Sequence, residues 1–107
     1  MDGILSLTQT RGIDVTVAVY PWPDQILAGD LDSRHVRFWE RWCHERGVRF
    51  WNFFPDFIGG DEAANRAAVE RWFIPDDIHF DERGNRYFAE RLIARYAAAA
   101  SGRTKSQ

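Results

Sequence analysis

Apolar and polar positions change period several times along the chain, and each change marks an element. Near the start, Ile4, Leu5 and Thr8 recur at helical spacing, and Gly12 stands where a helix end favours a left-handed residue. Asp14-Val-Thr-Val-Ala-Val-Tyr20 is β-branched and apolar on both faces, the pattern of a buried parallel strand. Pro21-Trp-Pro-Asp24 stops it, because prolines cannot join a central ladder. A helix capped by Asp32 or Ser33 then runs to about Arg46. Val36, Trp39 and Cys43 form its apolar stripe, Phe38 and Trp42 widen it, and Arg34, Arg37 and Arg41 take the other side, paired with Glu40 and Glu45. Gly47 closes this helix. Val48–Phe53 reads as a second strand and Phe54–Gly60 as a loop. Asp61 caps a helix to about Trp72, and Phe73-Ile-Pro75 is extended, since proline pushes its predecessor out of helical space. Asp81 caps the last helix, from Glu82 to about Ala100, with Phe88, Leu92, Ile93 and Tyr96 on its apolar face.

The order is α-β-α-β-α-α, an α/β layered fold without repeats or linkers. A strand-helix-strand unit of this spacing implies two parallel strands. Parallel strands are normally buried on both faces within larger sheets, and two strands alone are marginal. The pattern therefore reads as part of a larger sheet, with residues 1–100 in one domain and 101–107 a polar, disordered tail.

Composition narrows the function classes. At 107 residues and net charge −2, the chain is one domain at most and lacks the basic excess of a general nucleic-acid binder. No apolar run approaches the ~20 residues of a membrane helix, and Met1–Arg11 is not a secretory leader. The single cysteine excludes an internal disulfide and a multi-cysteine zinc site; on the apolar stripe, Cys43 reads as a small buried hydrophobe. His35 and His44 fall on the Arg-rich helix and read as solvated. Aromatics reach 15%, with five Trp. Core and rim packing accounts for most of them, and a carbohydrate-stacking surface of Trp22, Trp51 and Trp72 is the alternative.

The chemistry concentrates in Phe73-Ile-Pro-Asp-Asp-Ile-His-Phe-Asp-Glu-Arg-Gly-Asn85. His79 follows two carboxylates on a loop between a proline stop and a helix cap. A carboxylate at that spacing can hold the Nδ1 proton and leave Nε2 free as a general base, which is two-thirds of a hydrolytic triad. Two other readings fit the same residues. Asp76, Asp77 and Asp81 can be turn and cap residues with His79 packed nearby, or His79 and two aspartates can ligate a divalent ion.

Ile74-Pro-Asp-Asp-Ile-His-Phe-Asp-Glu-Arg-Gly-Asn-Arg-Tyr-Phe-Ala89 resembles the last block of the SGNH (GDSL-type) hydrolase family: an Asp and a His closely spaced, an apolar residue after the His, and a Gly before the final helix. Val15–Pro23 and Gly47–Phe57 are similar to strands and aromatic-Pro turns in the second half of such domains. The resemblance spans roughly residues 1–97. It implies a partial flavodoxin-like three-layer α/β/α sandwich with a short parallel sheet. It also implies an ester hydrolase or acyltransferase acting on an ester or acylated, including carbohydrate, substrate without a cofactor. His79 would be the base and Asp77 its orienter, with Asp76 the alternative; Asp76 falls where similar sequences often have Gly.

The family's Gly-Asp-Ser nucleophile block, Gly block and oxyanion Asn block belong upstream of the position matching Met1. Gly29-Asp-Leu-Asp-Ser33 is superficially like the first, but it follows the Pro-rich turn, and Ser33 reads as a helix cap. Ser6 falls inside a helix, Ser101 and Ser106 in the tail, and neither Asn52 nor Asn65 fits the oxyanion position. The chain is thus expected to be a C-terminal half, inactive alone, its sheet completed by an upstream segment or by self-association. The alternative is a non-catalytic interaction module that uses an unpaired sheet edge and aromatic surface.

Overall fold

A computed structural model describes the backbone of residues 1–105 and the side chains of residues 1–100. The elements run α1 (Asp2–Thr10), β1 (Thr16–Val19), α2 (Pro23–Leu27), α3 (Arg34–Arg46), β2 (Arg49–Asn52), α4 (Phe54–Phe57), α5 (Glu62–Trp72) and α6 (Glu82–Lys105). The two strands are parallel, with Thr16 beside Arg49 and Val19 beside Asn52. The fold is mixed helix and strand around this sheet. The stretch expected to fray overlaps the end of α6, and Ser106 and Gln107 lie outside the described residues.

Helix ends follow the local chemistry of the sequence. Ser33 Oγ accepts the Val36 amide, Asp61 Oδ1 the Ala64 amide and Asp81 Oδ1 the Gly84 amide, each satisfying a donor left over in the first turn. After α3, the amides of Gly47 and Val48 fold back onto the carbonyls of His44 and Cys43, and Gly47 takes φ 66° to permit it.

Two segments read as loops begin short helices instead. Pro23 occupies the first turn of α2, where its missing N–H costs nothing and its fixed φ suits a helix. The Trp22 amide is closed by the Gln25 side chain, and Ile26 is buried beneath. Pro55 does the same for the single turn of α4, which buries Phe54 and Phe57. Both strands are shorter than their apolar runs, because pairing stops where Pro21 and the Phe53 turn begin.

The apolar residues gather at the two ends of the sheet. Beyond the carboxyl ends of the strands, Ile26, Val36, Phe53, Phe54, Phe57, Ile58 and Phe73 form one buried cluster. At the amino ends, Leu5, Trp42 and Cys43 form a smaller one against Val15, Val17, Val48 and Phe50. Helical spacing overstated the width of two stripes. Phe38 is exposed at the edge of Trp39, and Ile93 and Tyr96 of α6 are open to solvent, while Phe88 and Leu92 pack inward. Arg34, Arg37 and Arg41 are exposed as expected, but Arg37 approaches Asp32 at 3.8 Å rather than Glu40.

Candidate functional site

The site loop hangs from a short antiparallel pairing. Phe73 bridges Phe80, the Asp81 amide donates to the Trp72 carbonyl at 2.9 Å, and the Ile74 amide to the His79 carbonyl at 3.0 Å. The base of this pairing is pressed against α6 at Gly84. A Cβ on Gly84 would lie 1.9 Å from the Trp72 carbonyl oxygen, so only glycine lets the helix start this close. Phe80 seals the loop from below through ring contacts with Phe73 at 4.8 Å, Tyr20 at 5.1 Å and Phe57 at 5.5 Å. Trp72 stacks on Tyr87 at 4.4 Å, and the Tyr87 hydroxyl donates to the Asp56 carbonyl while Arg91 pairs with the Asp56 carboxylate at 2.7 Å. Burial raises the Tyr87 phenol, and the bond to Asp56 raises the Arg91 guanidinium.

At the loop tip, the Asp77 amide returns to the Ile74 carbonyl at 3.1 Å, a tight turn with Pro75 and Asp76 in its centre. Asp76 takes φ 60° there, the left-handed position that favours Gly and tolerates Asp. That geometry separates the two aspartates. Asp77 Oδ1 accepts from the His79 amide at 3.1 Å and lies 2.6 Å from His79 Nδ1. Asp76 makes no hydrogen bond to His79 among the described residues and faces a neighbouring cavity. The bond from the His79 ring, then that from its amide, hold the Asp77 carboxyl below the usual carboxylate range. An ionised carboxylate only accepts, so this contact calls for the proton on Nδ1, and an imidazole in that tautomer has its lone pair on Nε2. The His79 side chain is 75% exposed, so Nε2 is open to a reacting molecule.

The other candidates are occupied elsewhere. Ser33 is buried as the α3 cap, and Ser6 lies on α1. Asn52 Oδ1 caps the Phe54 amide, and the buried Asn65 Oδ1 accepts from the Gly59 amide at 2.6 Å. Among the described residues, no hydroxyl or thiol bonds to His79, and no group of three or more His, Cys, Asp or Glu is placed to hold a metal. Ser101 and Ser106 have no described side chains. Cys43 is buried, which pushes its thiol up despite Arg46 nearby. Of the three tryptophans of the carbohydrate reading, Trp72 is stacked within the fold and Trp51 is edge-on to Phe53; Trp22 is the exposed one, at 53%.

Trp22 belongs to a feature that spacing did not reveal. It forms one wall of an open cavity of about 660 Å³ bounded by α2, α5 and the site loop, including Asp76 and Asp77. Its position after β1, beyond the carboxyl ends of the strands, is where open α/β sheets take ligands. The Pro-Trp-Pro turn was the visible signal, but its closeness to the loop is a tertiary fact.

Comparisons with protein-family models, curated proteins and solved structures found no match to this chain. Among the described residues, no helix is long and apolar enough to cross a membrane.

Proposed function

We propose that the chain is the C-terminal, acid–base half of an SGNH-type ester hydrolase or acyltransferase, with a partial flavodoxin-like three-layer sandwich as its frame. His79 is the general base and Asp77 its orienter. The observation that carries this reading is the 2.6 Å contact between Asp77 Oδ1 and His79 Nδ1 on a loop at the carboxyl end of parallel strands. The pair fixes one tautomer and leaves Nε2 exposed, as a triad base requires. The left-handed Asp76 and the glycine-only approach of Gly84 supply physical reasons for the resemblance at those positions. The serine nucleophile and oxyanion donors come, in this reading, from a further segment or chain that also extends the sheet.

Two assays on the purified chain test it. With p-nitrophenyl acetate, an activated ester that imidazole cleaves unaided, His79 should outpace His35 and His44. His79→Ala then removes most of the cleavage, while His35→Ala and His44→Ala leave it near wild type. Equal losses in all three variants contradict the reading. A fluorophosphonate probe should not label the folded chain; labelling that disappears in His79→Ala would show a serine nucleophile within it.

The second reading is a non-catalytic interaction module. It is favoured by β1, which among the described residues pairs along one edge alone, with β2, and whose Ala18 is exposed. Sedimentation over a concentration series separates the two, since self-association reversed by Ala18→Lys without a role for His79 supports the module.

A further inference from the structure

The cavity beside the site loop has an unusual charge balance for this chain. Its lining is mostly apolar, with Trp22, Leu27 and Phe73 among it, and its charged members are Asp24, Glu70 and Asp76 besides Asp77. No Arg or Lys lines it, although the sequence has 14 basic residues. Asp24, Glu70 and Asp76 form no ion pair among the described residues, and Arg71, next to Glu70, lies over the Trp72 ring at 5.5 Å. The carboxylates do not converge on one point as metal ligands would. Spread around an apolar space, they sum to a negative potential that favours a diffuse cation. The exposed Trp22 indole adds a face for such a cation.

We infer that this cavity binds an ammonium group carried on a short apolar body, and that it holds the cationic part of the substrate whose ester reaches His79. The second clause rests on the acid–base reading of Asp77 and His79; the binding does not.

The probe is hexyltrimethylammonium, with hexanol and hexyl sulfate as matched neutral and anionic molecules. The readout is the Trp22 indole and Leu27 methyl resonances of the full chain, with the indole signal assigned through Trp22→Phe. The cation should shift both groups, bind at least about tenfold tighter than either comparator, and weaken with added salt. The double variant Asp24→Asn, Glu70→Gln should lose about tenfold in affinity for the cation and little for hexanol. Dispersed spectra of that variant establish that it is folded. Equal binding of hexanol and the cation, tighter binding of the sulfate, or shifts confined to other surfaces would overturn the inference. Saturating cation should also slow His79-dependent cleavage of p-nitrophenyl acetate. Unchanged cleavage with Trp22 saturated would sever the cavity from the substrate while leaving the binding. Absence of His79-dependent cleavage without any cation would instead count against the acid–base reading.

Discussion

The two ends of the short sheet are built differently. At the carboxyl ends, seven buried residues and a continuous set of aromatic ring contacts support the loop that carries Asp77 and His79. At the amino ends, three buried residues do the corresponding work, and α1 leaves Ile4 and Leu7 in solvent. The contrast teaches where the chain concentrates its packing. A loop held in one geometry needs supports beneath it, and the heavier cluster lies directly under this one. The lighter end should open first, since local stability follows buried apolar contact.

The most damaging substitution should be Phe57→Ala. This ring is 3% exposed and touches Phe80, Tyr87 and Phe88, so its loss should cost about 4 kcal/mol by denaturant titration. Leu5→Ala in the lighter cluster should cost nearer ~2 kcal/mol, and equal losses would erase the contrast. Next comes Gly84→Ala, expected to destabilise by about 3 kcal/mol despite alanine's better helix propensity, because its methyl meets the Trp72 carbonyl. Gly3→Ala in α1, where a Cβ meets nothing within 4 Å, should be neutral or stabilising by up to about 1 kcal/mol. Smaller again is the opening of the amino end. Alkylation of Cys43 should be slow in the native chain, since its thiol is buried and raised, and it should proceed at denaturant concentrations below the main transition. A single coincident transition for Cys43 and for Trp fluorescence would unify the two ends.

The pH prediction bears on the loop alone. The folded Asp77 carboxyl lies below its unfolded value, so its contact with His79 is present above the ordinary carboxylate range. That contact is lost as pH falls through the lowered midpoint. Carboxyl-carbon NMR should find Asp77 titrating below the ordinary carboxylate range, and His79→Ala should move it up.

Local chemistry was legible in the sequence wherever one residue decides a backbone conformation. Ser33, Asp61 and Asp81 cap the helices they were expected to cap, and Gly47 ends α3 in the left-handed region. The parallel pairing of Thr16–Val19 with Arg49–Asn52 followed from strand-helix-strand order. Less legible was anything set by neighbours far along the chain. Helical spacing cannot tell that Ile93 and Tyr96 find nothing to pack against, nor that Pro23 starts a helix over the buried Ile26. For the site, the spacing of Asp76, Asp77 and His79 left two orienters open. The turn that Pro75 imposes decides between them: both line the cavity, but Asp77 is the one whose carboxylate reaches the imidazole. The cavity itself joins Trp22 to the site loop far along the chain, a closeness that the Pro-Trp-Pro turn alone does not reveal.

The central claim is that Asp77 holds His79 with its proton on Nδ1 and its Nε2 free. Two-bond proton–nitrogen correlation spectra of the imidazoles in alkaline solution, where the rings are neutral, read the tautomer directly. His79 should appear as the Nδ1–H form, unlike His35 and His44. Asp77→Asn should abolish that preference, and Asp76→Asn should leave it unchanged. An Nε2–H tautomer for His79, or the same spectrum in Asp77→Asn, would contradict the account.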